Sequence, residues 1–142
     1  MTINGTSNND FLLGTDGNDY ILGNDGDDTI FAKNGDDVIG GGRGNDTIYG
    51  QGGNDEIWNT RGDNWISGGD GNDYIVMGSG NDTVYGGNDN DEIWGGLGDD
   101  HIHGGNGDDI IHDSNGYNDM SGGIGEDTIY FSAGAHRIYD GN

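Results

Sequence analysis

A chain of 142 residues has the size of one domain, and its 27 acids against four Lys or Arg give a formal charge of −23. Such a surface repels nucleic acid, anionic membranes and phosphate-rich ligands and attracts cations. Cys and Pro are absent, no stretch is apolar enough to cross a bilayer, and Met1-Thr2-Ile3-Asn4 does not open a classical signal peptide.

With 33 Gly and 29% hydrophobic residues, composition alone would indicate disorder. A strict period argues otherwise. The unit is Gly-Gly-x-Gly-x-Asp-x-Ile-x, nearly undiluted in Gly41–Tyr49, and its places are numbered one to nine below. The first six are turn-formers, because Gly supplies positive φ and Asn and Asp tolerate it. The last three predict a very short strand whose central residue faces inward and whose flanks face solvent.

In chain order, residues 1–9 form a degenerate first unit, with Asn8 where Gly belongs. Aliphatics then recur at Leu12, Ile21, Ile30, Ile39, Ile48, Ile57, Ile66, Ile75, Val84, Ile93, Ile102, Ile111, Met120, Ile129 and Ile138, each predicting a strand. Residues 10–130 hold the regular repeats, and residues 131–142 keep the aliphatic but lose the Asp and the Gly pair, which predicts a cap. Two strand-plus-turn units make one flattened coil of 18 residues, so the fold class is all-β, a parallel two-sheet β-solenoid with alternate repeats on opposite sheets.

Stacking places each position-six residue beside its equivalent two repeats later, about 4.8 Å away. One edge reads Asp19, Asp37, Asp55, Asp73, Asp91, Asp109 and Asp127 without a break. The other reads Asp10, Asp28, Asp46, Asn64, Asp82, Asp100, Asn118 and His136, interrupted twice and then ended. Like charges so close need a positive charge between them. A rung spacing near twice a Ca–O distance suits calcium, whereas magnesium demands a tighter octahedron and zinc prefers nitrogen or sulfur.

Units such as Gly68–Val76 resemble the calcium-binding nonapeptides of the RTX (repeats-in-toxin, hemolysin-type) family, over about residues 5 to 139. The resemblance implies a right-handed parallel β-roll, folding induced by calcium and export by type I secretion, hence an extracellular protein. Adjacent Asp pairs predict about nine strong calcium sites, or thirteen if weaker ones at Asn64 and Asn118 are filled. Nine divalent ions offset most of the −23. Asp89 replaces Gly at position four, and its tolerance of positive φ predicts that this turn survives.

No catalytic constellation is visible, which argues against an enzyme. Outward flanks form aromatic files, with Phe31, Tyr49, Trp65 and Tyr85 on one sheet and Tyr20, Trp58, Tyr74, Trp94 and Tyr130 on the other. These support the sheets, or else bind a glycan or a protein. His101 and His103 project from one side of a strand as a transition-metal pair or a solvated one. The chain is expected to be a monomer or to associate weakly end to end.

Overall fold

The computed structural model describes residues 1–132, 135–139 and 141. Strands Thr2–Asn4, Tyr20–Asp25, Val38–Arg43, Glu56–Trp58, Tyr74–Val76, Glu92–Trp94, Ile110–Asp113 and Thr128–Phe131 form one sheet in that order. Strands Phe11–Leu13, Thr29–Asn34, Thr47–Gly52, Trp65–Asp70, Thr83–Asn88, His101–Asn106, Asp119–Ile124 and Arg137–Tyr139 form the other. Every pairing is parallel and offset by 18 residues, as in Ile30 with Ile48 or Ile57 with Ile75. The chain is therefore an all-β solenoid of about eight turns, with alternate repeats on opposite sheets.

The central aliphatics meet between the sheets. From Ile21 to Met120 each of the twelve is fully buried. Ala32 and Met77 join them from position one, because they lie two residues beyond Ile30 and Ile75 and alternation turns both side chains the same way. Ile3 adds a turn that the ladder beginning at Leu12 does not include: Thr2–Asn4 pairs with Tyr20–Leu22, and Ile3 packs on the core. At the other end Arg137–Tyr139 pairs with Asp119–Ser121, and Ile138 remains 45% exposed. The predicted cap falls partly on Ala133, Gly134, Asp140 and Asn142, which lie outside the described residues.

The six inner strands of the second sheet, Thr29–Asn34 to Asp119–Ile124, run to six residues, since pairing continues through positions one to three of the next unit. A positive φ at position two bends the strand without ending the ladder, even at Asn24, Lys33 and Gln51. Four strands of the first sheet stop earlier, at Trp58, Val76, Trp94 and Asp113. The Gly pair is missing after three of them, at Asn59-Thr60, Met77-Gly78 and Asp113-Ser114, and the turns there make only isolated bridges such as Arg61 with Ser79. Asp89 takes φ 74°, so its turn survives as expected.

Ile57→Ala should lower stability by about 2–5 kcal/mol, since a fully buried side chain leaves a cavity between two packed neighbours. Glu56→Gln, one residue away but exposed, should change it by less than about 0.5 kcal/mol. Thermal unfolding of both variants in one buffer checks the difference.

Candidate metal centres along the two edges

The position-six residues stack as the repeat requires. Each carboxylate turns its Oδ1 toward the preceding turn and accepts the backbone N–H of the residue 18 earlier, at 2.7–3.0 Å from Asp28 to Asp127. Asn64 and Asn118 keep this bond, accepting from Asp46 at 2.9 Å and Asp100 at 2.8 Å. Exchange of Asp for Asn thus preserves the backbone ladder, but it removes a charge and puts an Nδ2 donor in place of Oδ2, which Asn64 gives to the Gly62 carbonyl and to Asp82 Oδ1, both at 2.8 Å.

Oδ2 has a different fate. In Asp28, Asp37, Asp55, Asp73, Asp82, Asp91, Asp100 and Asp109 it is buried, with no hydrogen-bond partner among the described residues. An unpaired buried carboxylate oxygen is costly, and eight in two files are not an accident of packing. At Gly23, Gly50, Gly68, Gly86 and Gly104 a Cβ would run into two oxygens at once: Oδ2 of the Asp five residues on and the carbonyl of the Gly eighteen on. Position one is Gly there because its inward side would otherwise fill the space between those oxygens.

Carboxylate and carbonyl oxygens that converge with no donor between them make an oxygen-only cradle, which suits a hard cation such as calcium. Asp residues from adjacent turns lie along each edge, and the carbonyls come from the turn beyond. Ligands from two turns thereby meet at one place.

Not every predicted ladder residue is open in this way. Thr6 donates its N–H to Asp10 Oδ2 at 2.5 Å and its hydroxyl at 2.9 Å. Thr15 does the same for Asp19 Oδ2, at 2.6 and 3.0 Å. Asp127 is half-buried near the last turn. Asp46 Oδ2 accepts Asn59 Nδ2 at 2.7 Å, so an amide donor occupies the place that stays open at the eight unpartnered rungs. Position one, facing inward, carries this information; the Asp ladder alone does not.

Sequence reasoning also passed over a second ladder. Position-five Asn and Asp side chains accept the N–H of the residue 18 later, from Asn9 with Asp27 to Asp108 with Glu126, at 2.7–3.1 Å. It runs opposite in sense to the position-six ladder. The signal was present in the repeated Asn-Asp pairs, which turn chemistry alone also explains.

Burial raises the ladder carboxyls, and neighbouring carboxylates add to the effect: Asp73 is pushed up to about 8 and Asp55 and Asp91 to about 7. Asp100 rises to about 7 and Asp109 to about 6 for the same reasons. For Asp19 burial acts upward, but hydrogen bonds from the Met1 ammonium, at 2.7 Å, and from Thr15 outweigh it and hold the carboxyl down.

The aromatic files are engaged with themselves. Phe31 stacks on Tyr49 at 4.6 Å and 4°, and Trp94, His112 and Tyr130 stack in series at 3.9 and 4.8 Å. Tyr85 meets both His101 and His103 edge-on, and His101 Nδ1 lies 3.8 Å from Asp119. Among the described residues no three His, Cys, Asp or Glu side chains are grouped to hold a metal.

Since the folded-state values lie above those of the unfolded chain, the folded state holds protons from about pH 4 up to the folded pKa, near 8 for Asp73. Ion-free stability therefore falls as pH rises through that window and returns on acidification. Circular dichroism in chelator should show more sheet at pH 5 than at pH 8; equal or lower sheet content at pH 5 would contradict this.

A family model for the RTX calcium-binding nonapeptide repeat, built of four copies, matches residues 4–39, 32–66, 60–84, 67–102, 78–111 and 103–135. No curated protein matches the chain as a relative. The matched segments span almost all of the solenoid, and its stacked Asp and Gly positions are those of the motif: the chain belongs to the RTX family of calcium-binding nonapeptide repeats.

Proposed function

We propose that this chain is a calcium-responsive structural module, unfolded at the low calcium of the cytosol and folded into a rigid roll in the extracellular medium. The observation that carries this reading is the file of eight buried ladder Oδ2 atoms without partners. In the ion-free roll these carboxylates either stay protonated or repel one another, and calcium removes both penalties. Asp28, Asp55, Asp73, Asp91, Asp100 and Asp109 are the principal ligands, assisted by turn carbonyls, whereas Ala32 and Met77 stand where Gly would open the cradle for Asp37 and Asp82 and weaken those two sites. Asp10, Asp19 and Asp127 contribute less, Asp46 is closed by Asn59, and Asn64 and Asn118 offer at most a neutral oxygen.

Coupling follows from construction. Asp55 and the Gly68 carbonyl belong to successive turns, so an ion bound between them orders half of the next site. Binding and folding are then cooperative along the stack. Residues 10–130 are the ion-binding body, with degenerate units on either side. RTX repeats are typical of secreted proteins, which supports an extracellular location reached by type I secretion. Extracellular calcium modules bind at roughly 10⁻⁴–10⁻³ M, the range expected here.

A second reading rests on a cavity of about 390 Å³ bounded by Val76, Trp94, His112, Tyr130 and Phe131. On a calcium-rigidified roll this apolar recess fits a sugar ring or a protein side chain. Glycan-array binding in calcium that disappears with Trp94→Ala would support it. Identical array signals from both chains, or none from either, would remove it.

Calcium titration followed by circular dichroism should show sheet content rising steeply toward millimolar calcium. Equal sheet in chelator and in millimolar calcium at pH 7.5 would overturn the folding role. Gly68→Ala, which fills a cradle, should lower the number of bound ions by at least one. Gly17→Ala, where a Cβ meets nothing within 4 Å, should leave it unchanged. Ion counts by native mass spectrometry check the pair.

A further inference from the structure

Asp113 occupies position one, where most units have Gly. It lies two residues beyond Ile111, so alternation sends it inward, and only 5% of it is exposed. Its Oδ1 accepts the Ser114 N–H at 2.7 Å, and its Oδ2, buried against Gly95, has no partner among the described residues. Repeat chemistry does not account for a carboxylate here, since the nonapeptide places its Asp at position six.

Asn59 shows where such a side chain reaches. From position one it extends back to the Asp thirteen residues earlier, setting Nδ2 at 2.7 Å from Asp46 Oδ2. Asp113 stands in the same relation to Asp100, on the same edge and three turns further along. Burial first, and then the charge of Asp113, raise the carboxyl of Asp100, whose own Oδ2 is also buried and unpartnered. Where Asn59 closes its rung with a donor, Asp113 supplies a second buried, unpartnered carboxylate oxygen at the equivalent position. Burial pushes the Asp113 carboxyl up to about 6, while hydrogen bonds from Ser114 and Asn118 and the charge of His136 favour its ionised form; Asn118 also gives its Nδ2 to the Asn115 carbonyl at 3.2 Å.

We propose that Asp100 and Asp113 jointly hold a calcium ion in a two-carboxylate site outside the one-Asp-per-repeat pattern, the tightest site on the interrupted edge. Ligand charge sets calcium affinity among oxygen sites, and here two full charges from one edge meet at one place. The site compensates the loss of the next rung, where Asn118 replaces Asp. This assignment rests on the calcium role proposed above and adds a residue to it. Asn59 and Asp113 are then opposite solutions at equivalent positions, one replacing the ion and the other strengthening its hold.

Native mass spectrometry in graded calcium at pH 7.5 tests the site in the full chain, with circular dichroism in saturating calcium as the check on folding. Wild type should carry one more ion than Asp113→Asn, and that ion should be the last released from the interrupted edge as calcium falls. Conversely, Asn59→Asp should gain one ion by recreating the pair beside Asp46, a result that does not depend on the Asp113 variant folding. Equal ion counts and release midpoints in wild type and Asp113→Asn, or no gained ion in Asn59→Asp, would overturn the paired site and leave the two acids sharing a proton. A wild-type chain that binds no calcium would overturn the calcium role itself, which keeps the two failures distinguishable.

Discussion

Stacked carboxylates in a parallel solenoid set the terms for everything else in this molecule. Parallel pairing at an offset of 18 residues puts every position-six Asp directly next to its own kind. One oxygen of each finds a backbone N–H from the turn before, which locks the carboxylate into the stack. In eight of them the other is left buried without a partner, and at Asp28, Asp55, Asp73, Asp91 and Asp109 it faces a carbonyl from the turn after. The same geometry that builds the ladder thus creates an electrostatic deficit at those eight rungs, and a proton or a cation must make it good. Protonation meets it toward acid, and for Asp73 up to about pH 8; as pH rises through these values the deficit calls for a cation.

Position one decides how each deficit is met. Because it follows the central aliphatic by two residues, its side chain shares the interior with the core and reaches the Asp oxygens from inside. Gly leaves a cradle between carboxylate and carbonyl, as at Gly50 and Gly68. Asn59 fills the space with a hydrogen-bond donor, and Asp113 adds a second acid. Ala32 and Met77 contribute instead to the hydrophobic core. One place in the nonapeptide therefore tunes both packing and ion binding, and its variation is concentrated on the interrupted edge.

Much of this was legible in the residues. The nine-residue period by itself determines strand spacing, the two parallel sheets and the burial of Ile21 through Met120, because alternation and stacking leave a single inward side for each aliphatic. The tolerance of Asp89 for positive φ followed from its chemistry. Less visible were features that need two turns in register. That Thr6 and Thr15 satisfy Asp10 and Asp19, or that Asn59 reaches Asp46 across thirteen residues, depends on where side chains point after the chain has coiled. Ile3 escaped notice because no Asp or Gly pair accompanies it, and the position-five ladder was masked by the ordinary turn preference of Asn and Asp.

Anomalous diffraction from crystals grown in calcium would test the central claim most directly, since it locates ions without reference to sequence. Peaks should lie in two files beside the Oδ2 atoms of Asp28, Asp55, Asp73, Asp91, Asp100 and Asp109, with none between Asp46 and Asn59. A folded roll with no anomalous density at those oxygens, or with a peak where the Asn59 amide stands, would contradict it.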